Sequence, residues 1–216
     1  DGEVVEMMIG REYKHVFPPK PEAPGGGTTP ALEVRKFNWT DRLRNISFAV
    51  RPGEIVGLGG LDGQGQRELL LGLFGVLRGA SGEILINGRK TSVSNPNVAK
   101  SAAVGMALIP EDRKTEGLML PMSVRDNLSM AALQLFSRGG VIDTKAEQRA
   151  IDDMVKLLAV RTAGIDVAVG TLSGGNQQKV VIAKWLMVSP KVILLNDPTR
   201  GIDVGTKQEI YQLMRR

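Results

Sequence analysis

Val192-Ile193-Leu194-Leu195-Asn196-Asp197-Pro198-Thr199-Arg200-Gly201-Ile202-Asp203 is the stretch on which the fold turns. Its first four residues form a short, β-branched-rich apolar run between Pro190 and Asn196, the composition of a buried parallel strand. The run then stops on two adjacent polar side chains. Open α/β sheets bind ligands at the carboxyl edge of their parallel strands, so Asn196 and Asp197 would face such a ligand. In a phosphoryl-transfer site one of these positions holds Mg²⁺ through water, and the next orients or deprotonates the attacking water.

Upstream lies Leu172-Ser173-Gly174-Gly175-Asn176-Gln177-Gln178-Lys179, running into Val180, Val181, Ile182 and Trp185. Ser173 is suited to cap that helix, and the two glycines let a ligand approach its free N–H groups. Ser-Gly-Gly alone is also how an ordinary helix starts. Further upstream, Gly60-Leu61-Asp62-Gly63-Gln64-Gly65-Gln66-Arg67 is expected to sit between a strand and the helix of Leu69, Leu70, Leu71 and Leu73. A phosphate-binding loop needs glycines so that backbone N–H groups converge, and a helix N-terminus behind them. The full pattern G-x-x-x-x-G-K-[ST] places lysine on the phosphates and a hydroxyl on Mg²⁺; here Gln66 and Arg67 occupy those positions. By itself the segment also fits a glycine turn with a purely structural role.

The rest of the chain supplies the frame. Leu32–Phe37 and Asn45–Val50 alternate like half-buried strands, Glu54–Leu58 is a third strand candidate, and Glu83–Ile86 enters an Asn87-Gly88 hairpin turn. Ser123 with Asp126 and Thr144 with Glu147 look like helix starts. They precede the stripes Leu128, Ala131, Ala132, Leu135 and Ile151, Met154, Val155, Leu158. Residues 1–29 differ: Pro18, Pro19, Pro21, Pro24 and Gly25-Gly26-Gly27 predict a linker. Strand–loop–helix units with a helical insert point to an α/β fold.

Composition narrows the chemistry. A length of 216 residues suits one substantial domain plus an appendage. No apolar stretch approaches the ~20 residues that cross a bilayer. Zero cysteines exclude disulfide and thiolate chemistry, and the single histidine, His15, leaves no histidine metal cluster. The net charge of +5 is spread over scattered basic residues, and 4% aromatic content offers no base-stacking platform, so no nucleic-acid partner is expected.

Taken together and in this order, the three strings resemble the ATPase domains of ABC transporters. More narrowly, Pro110-Glu111-Asp112-Arg113-Lys114, Leu172–Lys179 and Asp197-Pro198-Thr199-Arg200-Gly201-Ile202-Asp203-Val204-Gly205 are similar to the second half of the duplicated ATPase subunit of monosaccharide importers. Ribose, xylose and galactose systems form that group. Glu6-Met7-Met8-Ile9-Gly10-Arg11 looks like its connection between halves. The resemblance implies an α/β P-loop ATPase core with an antiparallel β subdomain near residues 31–92 and an α-helical subdomain at about 113–171. It implies an inter-domain linker over 1–29 and a nucleotide-binding domain over 30–216 whose last part, with the switch histidine, lies outside this sequence. ATP and Mg²⁺ are the implied cofactors. The implied partners are an upstream ATPase domain of the same chain, a transmembrane sugar permease and, through it, a periplasmic or extracellular sugar-binding protein. The implied location is the cytoplasmic face of the bacterial plasma membrane.

In this family two halves face each other, each ATP lying between the phosphate loop of one and the signature sequence of the other. The resemblance therefore assigns Gly60, Gly63, Gly65, Gln66, Arg67 and Glu68 to the phosphate side. It assigns Ser173, Gly174, Gly175 and Gln178 to the partner's nucleotide, and Asp203 to a contact across the dimer. Phe37 matches the adenine-stacking aromatic better than Trp39, though either also reads as a core aromatic. Asp197 stands where glutamate serves as base, Asn196 where aspartate serves the metal, and Glu111 where a glutamine links nucleotide to permease. With Gln66, Arg67, Asn196 and the shorter Asp197 all departing from the pattern, the chain's own site is expected to bind nucleotide weakly or hold it without turnover, while its signature acts in trans. A non-hydrolysing structural half is the rival reading. A soluble ABC ATPase acting on ribosomes or DNA is another, against which the Pro110–Lys114 and Arg200–Gly205 strings argue.

Overall fold

Alternation with one interruption builds the first sheet of the computed structural model, which describes residues 29–215. The expectations for the linker, for Glu6–Arg11 and for His15 lie outside the described residues. Strand β1 (Leu32–Trp39) turns Leu32 and Val34 inward, then slips register at Lys36, whose φ is 49°, so that Phe37 follows them into the core. That bulge forces the residue facing it to be glycine. Gly82 has φ of 118°, and a Cβ there would lie 2.6 Å from the Lys36 carbonyl oxygen. With β2 (Leu43–Val50), β3 (Ser81–Ile86) and β4 (Arg89–Thr91), β1 forms an antiparallel sheet ordered β2-β1-β3-β4. The β3–β4 turn is Asn87-Gly88, with φ of 49° and 75°, the left-handed pair expected of a tight hairpin.

Helix α1 (Gln66–Leu73) packs Leu69, Leu70 and Leu73 on this sheet, and the short α2 (Pro96–Ala99) follows β4. β5 (Met106–Ile109) and β8 (Val192–Leu195) then pair in parallel, Met106 opposite Val192 and Ile109 opposite Leu195. Their Met106, Leu108, Val192 and Leu194 join the same core. The sequence reading leaves β5 unassigned, because a four-residue run is too short to show a period.

A second core gathers the helical part. A π-helical turn (Arg113–Gly117) leads to α3 (Val124–Ser129), whose start is a complete capping box between Ser123 and Asp126. Then come α4 (Leu133–Phe136), the small β6–β7 hairpin (Ser137–Arg138 and Val141–Ile142), α5 (Thr144–Leu157), α6 (Gly174–Leu186) and α7 (Val204–Arg215). Leu128, Ile151, Val180 and Val181 are fully buried at its centre. Trp185 touches both cores and meets Phe74 edge-on, with ring centroids 5.5 Å apart.

Several local expectations need correction. Glu54–Leu58 forms no strand: among the described residues none lies alongside to complete a ladder, and Ile55 is 58% exposed. β8 is buried on one face only, since Ile193 is 40% exposed. The stripe to Leu135 breaks where α3 ends at Ser129, leaving Leu135 on the surface. α5 is capped by Asp143, whose carboxylate accepts from the Lys145 and Ala146 N–H groups, with Thr144 one place inside the helix.

Candidate functional site

Parallel pairing of β5 with β8 brings two loops to one edge. The Asn196 N–H donates to the Ile109 carbonyl at 3.0 Å, so Glu111 and Asn196–Asp197 leave the sheet side by side. They open into a cleft of about 880 Å³, which Gly60, Gly63, Gln66, Arg67 and Glu68 also line. Asp197 is exposed and has φ of 40°, a left-handed conformation unusual for a non-glycine residue. Glu111 forms an ion pair with Arg200.

Two glutamines of the Gly60–Arg67 loop bond back to its own backbone. Gly65 is the N-cap of α1, with φ of 103° and no side-chain cap. The Leu61 N–H donates to Gln64 Oε1 at 3.0 Å, while Gln66 Nε2 donates back to the Leu61 carbonyl at 3.3 Å. Gln66 lies so close over Gly60 that a Cβ there would overlap its amide nitrogen. Arg67 points away from the loop to Glu116, at 2.5 Å, and Glu68 pairs with Arg42 at 2.9 Å.

The Ser173–Gly175 group is separate from this cleft. Ser173 caps α6 by accepting from the Asn176 N–H, and remains exposed. A Cβ on Gly174 would come 2.7 Å from Arg113 Nη2, and one on Gly175 would run into the Thr206 hydroxyl. Packing therefore calls for glycine at Gly175, whereas at Gly174 the Arg113 side chain could give way. Asp203 caps α7, accepting from the Thr206 N–H at 3.0 Å and its hydroxyl at 2.7 Å. Those bonds, the backbone one first, hold its carboxyl below the usual range.

Two assigned residues are withdrawn from nucleotide. Phe37 is 3% exposed with its ring against Gly72, because the β1 bulge turns it inward, so it offers no face to adenine. Trp39 is part-buried against the same core, its indole N–H donating to the Arg78 carbonyl at 3.0 Å. Gln178 is 2% exposed on the inner face of α6 and cannot reach a ligand at that helix's N-terminus.

Arg113, to which the sequence reading gives no separate role, ties the elements around Ser173 together. Its guanidinium donates to the Arg200 carbonyl (3.0 Å), the Gly201 carbonyl (3.1 Å) and Gln177 Oε1 (3.4 Å). One side chain thus ties the π-helical turn to α6 and to the loop leading to Asp203. Arg113→Ala is expected to destabilise the chain by about 2 kcal/mol in urea denaturation, since charge-assisted bonds to backbone are lost together. Arg113→Lys, which cannot reach all three acceptors, should recover only part of it. Wild-type stability in Arg113→Ala would show that this grip carries no weight.

Mg²⁺ demands a near-octahedral set of hard oxygen ligands. Arg67 replaces the metal-binding hydroxyl with a cationic side chain, Asn196 replaces a carboxylate with an amide, and Glu68 and Glu111 pair with Arg42 and Arg200. Among the described residues no three acidic or histidine side chains converge to hold a metal. At the two positions that would serve Mg²⁺ directly, Arg67 and Asn196 do not fit it, while Asp197 stays an exposed carboxylate in the cleft.

Comparison with known proteins agrees with this architecture. Residues 43–200 match the model of the ABC transporter family. The chain is 70% identical over 216 residues to ribose import ATP-binding protein RbsA 1 of Mesorhizobium japonicum, covering 100% of this chain and 42% of that protein. It is 45% identical over 212 residues to RbsA of Bacillus subtilis, covering 98% and 42%. The chain thus spans less than half the length of the curated relatives it matches. Among solved structures, the ADP- and Pi-bound dimeric cassette MJ0796 superimposes with a TM-score of 0.68 at 21% identity, covering 85% of this chain and 81% of that one. cbiO1 of Clostridium perfringens gives 0.69 at 23%, covering 87% and 73%.

Proposed function

The chain belongs to the ABC transporter family, and from that premise we propose that it is the second ATP-binding half of a monosaccharide importer, serving ATP held by another half. One asymmetry carries the reading. In the chain's own loop the Leu61 N–H and carbonyl are taken by Gln64 and Gln66, whereas Ser173 at the N-terminus of α6 is exposed. An exposed hydroxyl beside Gly174 and the positive end of a 13-residue helix suit a terminal phosphate presented from outside. The similarity to ribose import ATP-binding proteins supports sugar as the cargo class.

In this reading residues 1–29 are a linker and 30–216 the nucleotide-binding domain, with residues 113–171 as its helical subdomain. The chain sits at the cytoplasmic face of the membrane. Glu111 and the helices after Ser123 face the permease, which a sugar-binding protein supplies from the other side. Asp203, already fixed by Thr206, lies in the loop that meets the partner half. Closure of the two halves on ATP drives the permease, and hydrolysis in the partner's loop resets it. Nucleotide in this chain's own loop is held without turnover, because Gln66, Asn196 and Asp197 replace the usual machinery.

The test is reconstitution in trans. ATP turnover by the upstream half of the same parent protein, with an intact phosphate loop, is measured alone and after adding this chain. Stimulation supports the reading, and an unchanged rate at saturating chain overturns it.

A further inference from the structure

The misfit between this phosphate loop and Mg²⁺ has a compensating feature beside it. We propose that the chain's own loop is a metal-independent nucleotide polyphosphate site, in which Arg67 supplies the positive charge that Mg²⁺ supplies elsewhere and Glu116 holds Arg67 until the phosphates arrive. The proposal rests on the reading that this half binds nucleotide, and it names the counter-ion.

Arg67 is in the first turn of α1 and lines the same cleft as Gly60, Gly63 and Asn196. It stands at the position where a hydroxyl would otherwise hold the metal. Arg67 is turned to Glu116 here; swung into the loop, its guanidinium would take the space and the role of a divalent cation. A guanidinium needs no octahedral shell, and its planar fork matches two phosphate oxygens. Its partner is easily exchanged. The Arg67 and Glu116 side chains are 46% and 38% exposed, and ion pairs so open to water are weak. A polyphosphate offers more charge and more acceptors than one carboxylate does.

The loop is also ready to open. Leu61 gives its N–H to Gln64 and its carbonyl to Gln66. Both partners are neutral amides on long side chains, so an anion displaces them without stranding a charge. Asn196 fits the same picture. A carboxylate there would repel a polyphosphate that lacks a bridging metal, whereas an amide donates a hydrogen bond to it.

The experiment titrates a fluorescent ATP analogue into the full chain, once in EDTA and once in excess Mg²⁺. It is repeated with Arg67→Thr and Glu116→Gln. Wild type is expected to bind equally well in both buffers. Arg67→Thr, which removes the cation and restores a hydroxyl, should lose about tenfold in EDTA and regain affinity with Mg²⁺. Glu116→Gln should bind about threefold more tightly in EDTA, because the competitor for Arg67 is gone. Arg67 and Glu116 are both part-exposed, so these variants leave the core intact, and circular dichroism checks it. Affinity that rises about tenfold or more with Mg²⁺ in wild type, or Arg67→Thr binding normally in EDTA, overturns the proposal while leaving nucleotide binding in place. Absence of binding in both buffers overturns the underlying reading as well.

Discussion

If the chain acts in trans as proposed, Gly174→Asp is expected to lower ATP turnover by the two assembled halves about 100-fold, the scale of removing one preorganised donor from a developing anion. Three consequences of the carboxylate act together. It places negative charge at the N-terminus of α6, where the proposed function puts a terminal phosphate. Its Cβ would approach Arg113 Nη2 to 2.7 Å, so the backbone or the guanidinium must move. The carboxylate would also bind Arg113, drawing it from the Arg200 and Gly201 carbonyls that it holds at 3.0 and 3.1 Å. Gly174→Asn separates these causes, since it fills the same volume without charge. It should lose about tenfold, because the close approach is blocked while the repulsion is absent. Turnover is to be measured in the two-half assembly that the proposed function describes, with expression and assembly checked for each variant. An unchanged rate in Gly174→Asp would mean that the productive site does not use this sequence. Gln66, Arg67 and Asp197 would then have to be working parts after all.

The elements that show in the sequence are those set by local chemistry. The Asn87-Gly88 turn, the Ser123–Asp126 box and the Ser173 cap each depend on a few consecutive residues, and each has the expected geometry. β8 and its polar end also show, because an apolar run ending in Asn196-Asp197 has few other uses. What stays hidden depends on distant partners. Arg113 reaches acceptors 64 to 88 residues away, which no spacing rule announces. Phe37 faces the core because Lys36 bulges, and the bulge exists because Gly82 leaves room for it. Gln177 and Gln178 are adjacent and chemically identical, yet only Gln177 reaches Arg113 and the Gly170 and Leu172 carbonyls, so helical phase alone separates them. Glu54–Leu58 has the composition of a strand, but a strand forms only beside a neighbour that completes its hydrogen bonds.

Between about pH 8 and 10.5 the chain is expected to gain about 3 kcal/mol of stability relative to Lys184→Met, and the cause is a single desolvated ammonium. Lys184 is 9% exposed on α6. It donates to the Gly117 carbonyl at the end of the π-helical turn, and its Nζ stands 5.8 Å from the Trp185 ring centroid. Neither partner is a carboxylate, so burial is uncompensated by an ion pair and pushes the amine from 10.5 down to about 8. Below the folded value both folded and unfolded chains are protonated, and the folded chain bears the full penalty. Between the two values the folded chain has released its proton while the unfolded chain keeps it, so stability rises with pH by about 1.4 kcal/mol per unit. Above the unfolded value both are neutral and the gain is complete. Lys184→Met keeps the length and apolar stem but has no proton to release, and its lost bond to Gly117 is a pH-independent offset. Urea denaturation of both chains at intervals from pH 7 to 10.5 isolates the effect, because other lysines and tyrosines titrate alike in the two. A flat difference would mean that water reaches the ammonium. A rising one would make Lys184 the dry counterpart of Arg113, each joining α6 to the turn that carries Glu116. There the buried lysine has a hydrogen bond to the Gly117 carbonyl but no carboxylate partner. Its neutral form still donates to Gly117, so the tie between signature helix and turn survives deprotonation even as its electrostatic penalty disappears.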